Sequence, residues 1–278
     1  MTQGFVCIYD MGNMPSIKPM AVRLYGSDHA TVTSITIRNS PQTHLKFDNI
    51  NVSSPADSSN TDGIHLQNSQ DVFINSINLA CGDDCVSIQT GCSNVSIQNV
   101  NCGAGHGISI GGLGRDNTKA CVSNVTVRDS TMSKTMTGVR IKTWQGGSGA
   151  ARGIKFFNIQ VSEVKTPIMI DQFYCDKTKC QNRTSAVAVS GIDYVNIRGT
   201  FTVKPVHFAC CDSIPCTNIS LATINLEAAQ GSKSNDHFCR EACGELRTTS
   251  TVPPLTDCLQ KGMPSNTSFR SNLESCRA

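Results

Sequence analysis

The chain has 278 residues and a formal charge of +3, from 24 Lys+Arg against 21 Asp+Glu. That excess is small and carries no basic run interleaved with aromatics, and no stretch approaches the about 18 apolar residues of a spanning helix, so neither nucleic acid nor membrane insertion is expected. Fifteen cysteines point instead to an oxidising compartment and disulfides, the odd count leaving at least one thiol over.

In chain order, Met1 to Pro15 shows no basic segment followed by an apolar one, so no signal peptide is visible, and 1–17 read as a divergent N-terminal segment. From 18 to 230, apolar residues alternate with polar ones in short sets: Val32, Ile35 and Ile37; Val72, Ile74, Ile77 and Leu79; Val95, Ile97 and Val100; Ile154, Phe156 and Ile159; Ile219, Leu221 and Ile224. Such sets predict short strands with β-branched residues facing inward, joined by Asn, Ser, Gly and Asp as turn residues. From about Gly231 the pattern fades, and 231–278 read as an irregular cap stapled by Cys239, Cys243, Cys258 and Cys276. No Pro/Gly/Ser linker divides the chain, which predicts a single domain.

Four polar motifs recur at nearly equal steps: Asn60-Thr61-Asp62-Gly63, Gly82-Asp83-Asp84-Cys85, Gly105-His106-Gly107 and Arg140-Ile141-Lys142. Asp62 and Asp83 are 21 residues apart, Asp84 and His106 are 22, and His106 and Arg140 are 34. A β-sandwich or barrel also repeats its turn signals, but every 8 to 12 residues or so. Strand sets at about 20 to 50 residues favour a solenoid. If each step is one coil of a parallel β-helix, the four motifs stack at about 4.8 Å per coil into one patch of wall. Three clustered carboxylates suit acid–base chemistry, where one group must donate a proton while another accepts one, because like charges at close range push their protonation apart. Taken singly, each motif has a plainer reading: an Asp-Asp turn, a satisfied histidine, an exposed cationic face, a His65 bonded within its own coil. Stacked asparagines such as Asn94 and Asn99 read as internal ladder residues.

Between Lys18 and Gln260 the chain resembles the plant polygalacturonases, glycoside hydrolase family 28. The resemblance runs through Asn39-Ser40-Pro41, Asn60-Thr61-Asp62-Gly63-Ile64-His65, Gly82-Asp83-Asp84-Cys85-Val86-Ser87-Ile88, Gly105-His106-Gly107-Ile108-Ser109-Ile110-Gly111 and Arg140-Ile141-Lys142-Thr143-Trp144-Gln145-Gly146-Gly147. It implies an all-β, right-handed parallel β-helix and inverting hydrolysis of α-1,4-galacturonosyl linkages in pectin. Asp83 would be the general acid, Asp62 with Asp84 would position and deprotonate water, and His106 would tune their protonation. Arg140 and Lys142 would clamp the substrate carboxylate, Asn60 would hold the loop bearing Asp62, and Tyr174 would offer a platform for a sugar ring.

Two departures stand out. Ala104 replaces the family's usual proline, and family members carry a leader and further N-terminal sequence. The first recognisable coil begins near Val22, so the usual N-terminal coils and cap are expected to be missing. A secreted monomer acting on an acidic polysaccharide, with no cofactor and no metal, is expected. Sequons at Asn51, Asn94, Asn124, Asn182, Asn218 and Asn266 fit secretion, and several of them, in strand-like Asn-Val-Ser or Asn-Val-Thr steps, also read as corner asparagines of the solenoid. The alternatives are a catalytically impaired pectin-binding homologue and a calcium-dependent lyase on the same architecture. Proximity and resemblance suggest bridges Cys85–Cys102, Cys175–Cys180, Cys92–Cys121, Cys210 or Cys211 to Cys216, and Cys239–Cys258.

Overall fold

The computed structural model describes residues 36–38, 51–176, 182–183, 186–232, 236–248, 250–262, 271–272 and 274–276. Calls on Val22, Val32, Ile35, Asn39-Ser40-Pro41, Cys180 and Asn266, and on the N-terminal segment, lie outside them. Two parallel sheets wind through the described residues. The longer one joins β1 (Thr36–Arg38), β2 (Asn51–Ser53), β4 (Gln70–Ala80), β6 (Cys92–Gly103), β8 (Lys119–Ser133), β10 (Ser148–Val164), β12 (Ala188–Phe201), β14 (Cys216–Ala228) and β16 (Ala242–Leu246). The shorter one joins β3 (Ile64–Leu66), β5 (Val86–Ile88), β7 (Ile108–Leu113), β9 (Thr137–Thr143), β11 (Thr166–Asp171), β13 (Val206–Ala209) and β15 (Phe238–Arg240). From β2 onward the chain alternates between the sheets and returns each time to the neighbouring strand, which is the expected parallel β-helix. The winding continues past residue 230, because β15 and β16 add a rung to each sheet.

Identical chemistry at identical register builds the core. Along the shorter sheet Ile64, Val86, Ile108, Val139, Ile168 and Val206 are successive partners, and all are fully buried. Each such side chain contributes ~1.5–3 kcal/mol by leaving water. The longer sheet answers with Ile97, Val127, Phe156, Tyr194 and Leu221 in one column. Phe156 stacks on Tyr194 at 5.2 Å, and Tyr194 tilts against Phe208 at 5.8 Å.

The long strands bend where single residues take the left-handed conformation: Asn94 and Asn99 in β6, Asn124 and Asp129 in β8, Asn158 in β10, Asn196 in β12. Asparagine and aspartate tolerate that conformation through local hydrogen bonding. Their amides also link coil to coil: Asn94 Nδ2 donates to Asp71, Asn124 to Asn94, Asn158 to Asp129 and Asn196 to Asn158. The expected asparagine ladder therefore exists, but outside: Asn94 and Asn99 are exposed corner residues, because the inside is filled with aliphatic columns.

Cys85–Cys102, Cys210–Cys216 and Cys239–Cys258 are bridged as expected. Cys175 is disulfide-bonded. The Cys92–Cys121 pairing is overturned, since Cys121 bonds Cys276 and Cys92 stays a buried thiol. Register explains it. Cys92 is opposite Val122 and faces the core with it, so the adjacent Cys121 points to the other side of the sheet.

The Tyr194 hydroxyl is buried without a hydrogen-bond partner among the described residues, and burial pushes its ionisation far up. Tyr194→Phe is expected to raise stability by about 1 kcal/mol by removing an unsatisfied group, whereas Tyr194→Ala should cost roughly 3–5 kcal/mol through the cavity. Chemical denaturation of the two variants measures the contrast.

Candidate active site

The site forms on the outward side of the shorter sheet, where the register that aligns the core also aligns the motifs. Asp62, Asp84 and His106 each stand two residues before the mutually paired Ile64, Val86 and Ile108. Backbone bonds hold these approaches together: Gly63 N donates to Asp84 O at 2.9 Å, Cys85 N to Gly107 O at 2.8 Å, and His106 N to Asp83 O at 2.8 Å. The last of these turns needs a residue without a side chain. At Gly107, with φ of 84°, a Cβ would come 2.0 Å from Thr137 O. Thr137 Oγ1 in turn donates to His106 O, and the Cys85–Cys102 bridge ties the aspartate turn to the end of β6.

Each aspartate receives a different set of partners. Asp84 is 2% exposed and accepts from three donors: Ser109 Oγ at 2.7 Å and Arg140 Nη2 at 2.7 Å on Oδ1, and Lys142 Nζ at 2.9 Å on Oδ2. Arg140 and Lys142 are themselves buried. They were expected to clamp a substrate carboxylate, yet their tips are engaged by Asp84, because two cations in a dry wall need a counter-charge. Both cations also act at a distance on Asp83, and Arg140 on Asp171, the register partner of Lys142. Asp83 Oδ1 lies 2.8 Å from His106 Nδ1. Asp62 Oδ2 lies 3.1 Å from His65 Nδ1, the bond within one coil expected of that histidine, while Asp62 Oδ1 accepts Asp84 N at 3.2 Å.

These surroundings separate the carboxyls electrostatically. Burial pushes Asp62 above the ordinary carboxylate range, the charges of Asp84 and Asp83 add to that push, and the His65 bond only partly opposes it. For Asp83 the push from burial is outweighed by the bond from His106, by the imidazolium charge, and by Lys142 and Arg140, so its carboxyl is held low.

The other expected residues fall around this centre. Asn60 is exposed and takes the left-handed conformation, φ 55°, at the turn before Asp62. Tyr174 follows β11, its ring centroid 5.0 Å from Lys142 Nζ and 5.4 Å from Trp144 in an edge-on contact. Ser109 was quoted within a motif but not singled out. It is fully buried, accepts Arg140 Nε at 3.0 Å and donates to Asp84, so it ties the cation to the carboxylate. Its signal was alternation: between inward Ile108 and Ile110, and opposite Arg140 in register, it had to face the site.

Two clusters offer donors that an ion could share, and neither is free to do so. Cys239 and Cys258, near His237, are bonded to each other. Asp83, Asp84 and His106 lie within 4.8 Å of one another, but the Asp84 oxygens already hold a guanidinium and an ammonium, which would repel a metal cation.

Residues 10–244 match the model for glycosyl hydrolases family 28. A polygalacturonase of Chamaecyparis obtusa is 43% identical over 224 residues, which are 77% of this chain and 44% of that protein. A probable polygalacturonase of Arabidopsis thaliana is 39% identical over 258 residues, 89% of this chain and 58% of the relative. Among solved structures, a polygalacturonase from Erwinia carotovora superposes with a TM-score of 0.58 at 25% identity, over 77% of this chain and 56% of that one. The chain thus spans about half the length of the curated relatives it matches. Parallel coils, Asp62 and Asp84 in one register with Asp83 beside them, and a family model matched from residue 10 to residue 244 agree, and the chain belongs to the glycosyl hydrolases of family 28.

Proposed function

We propose that the chain hydrolyses α-1,4-galacturonosyl linkages of pectin outside the cell, as a monomer acting on an acidic polysaccharide. The observation that carries this reading is the set of three neighbouring aspartates with three different sets of partners: Asp83 on His106, Asp62 on His65, and Asp84 between Arg140 and Lys142. Every sugar of the substrate bears a carboxylate, and Arg140 and Lys142 place two cations beside the reacting bond to meet it. Tyr174 supplies ring surface beside Lys142, and Asn60 shapes the turn that presents Asp62.

In this reading Asp83 and His106 act as one unit holding one proton. In water the bond and charge of His106, with Lys142 and Arg140, outweigh burial and hold the Asp83 carboxyl low. Substrate that excludes water favours the uncharged form of the pair, with the proton on the carboxyl. Asp83 then protonates the leaving oxygen as general acid. Asp84, acceptor of three hydrogen bonds, and Asp62 hold and deprotonate the water on the opposite face, which gives inversion.

Three outcomes test this. With polygalacturonate, Asp83→Asn should lower kcat by about 10²- to 10⁴-fold in a reducing-end assay, while the wild type is insensitive to chelator and forms no unsaturated sugars; calcium-dependent unsaturated products would instead mark a lyase. Ser109→Ala, which loosens the Arg140–Asp84 pair, should lower kcat about ten-fold with little change in KM, and Ser109→Thr should recover part of it.

The third is a stability measurement. A raised carboxyl such as Asp62 destabilises the fold above its folded pKa and is relieved as pH falls. A lowered one such as Asp83 stabilises above its unfolded pKa and loses that as pH falls through the folded value. Asp62→Asn should therefore raise Tm at neutral pH and Asp83→Asn lower it, the two converging at acid pH. Thermal melts across pH check the sign.

A further inference from the structure

The outward column that carries Ser109 and Arg140 does not end there. Register continues it through Met169 and His207 to Phe238, and the column of Lys142 continues through Asp171 and Ala209 to Arg240. Three strand steps of about 4.8 Å place Phe238 about 14 Å beyond Arg140 on the same face. Its ring is 41% exposed, among the few large apolar side chains so open. It stacks on His207 at 5.0 Å with 22° between the planes, and Lys204 Nζ lies 5.5 Å from its centroid. Val203, next to Lys204, is also exposed.

This patch is joined to the catalytic centre and held in place. The Arg240 guanidinium lies 5.5 Å from the ring of Phe173, the neighbour of Tyr174, and it is pinned by Asp212. Phe238 sits in a three-residue strand that would fray alone, but Cys239 is bridged to Cys258 and His237 Nε2 meets Asp257 Oδ1 at 3.1 Å. Burial, followed by the Lys204 charge, pushes the His207 imidazole down to about 4. Above that pH it offers ring surface and leaves the positive charge to Lys204.

We propose that Phe238, His207 and Lys204 form a distal subsite for a further galacturonosyl unit of the same polymer. The rings take the apolar C–H face of the sugar and the ammonium takes its carboxylate. The proposal rests on the hydrolase reading and extends it from the cleaved bond to the length of chain that is gripped. An exposed aromatic ring with an adjacent cation suits a uronic acid better than a neutral sugar, because one group answers each side of that ligand.

The experiment compares steady-state kinetics of the 278-residue chain on polygalacturonate and on the shortest oligogalacturonate it cleaves. Phe238→Ala and Lys204→Gln should each raise KM for the polymer about three- to ten-fold, with kcat and the oligomer kcat/KM held within about two-fold, and Phe238→Trp should keep the wild-type KM. An active wild type whose two variants keep polymer KM within about two-fold overturns the subsite alone. Equal losses on polymer and oligomer do so too, since they mark a general defect of fold. A wild type that neither cleaves nor retains polygalacturonate overturns the hydrolase reading, and the subsite with it.

Discussion

Parallel pairing that keeps the inward columns in line across the site-bearing rungs is the constraint on which everything else depends. Ile64, Val86, Ile108 and Val139 are partners in successive strands, so any residue at a fixed offset from them stacks with its counterparts. A slip of one residue in any coil would turn its aliphatic pair outward and its polar residue into the core. The hydrophobic column therefore specifies the register, and the register places Asp62, Asp84 and His106 over one another. Stability and chemistry are thus read from the same ladder, the inward side by burial and the outward side by charge.

The outward side works because charge there is uneven. Asp84 is closed off by Arg140, Lys142 and Ser109, Asp83 is linked to an imidazole, and Asp62 is half-buried beside His65. Two neighbouring carboxyls, Asp62 and Asp83, are thereby pushed in opposite directions, the kind of separation that acid–base chemistry on a glycosidic bond requires. Gly107 and the Cys85–Cys102 bridge support this arrangement by allowing, and then holding, backbone approaches that ordinary side chains would block.

Much of this was legible in the chain. Spacings of 21 and 22 residues between aspartate and histidine motifs predicted stacked coils, and the alternation of Ile and Val predicted which side would be buried. Where the reading missed, the cause was geometry that periodicity does not carry. Cys121 was paired with Cys92 because the two lie in adjacent coils, but adjacent residues on a strand face opposite ways, and Cys121 meets Cys276 from the far end of the chain. Asn94 and Asn99 were read as internal ladder residues, whereas the left-handed corners they occupy lie on the surface, the corner reading that the sequon asparagines also allowed. Arg140 and Lys142 were read as open clamps, since sequence shows a charge but not the Asp84 that meets it.

The sequence by itself determined the period, the inward columns and the identity of the groups gathered at one height of the wall, because those follow from side-chain alternation and from equal spacing along the chain. Only the tertiary structure decided which aspartate faces which cation, how Ser109 bridges Asp84 and Arg140, and that Phe238 lies in line with them three strands away. Those contacts join residues 25 to 58 positions apart around Asp84, and their strength depends on distance and burial, which no local pattern records.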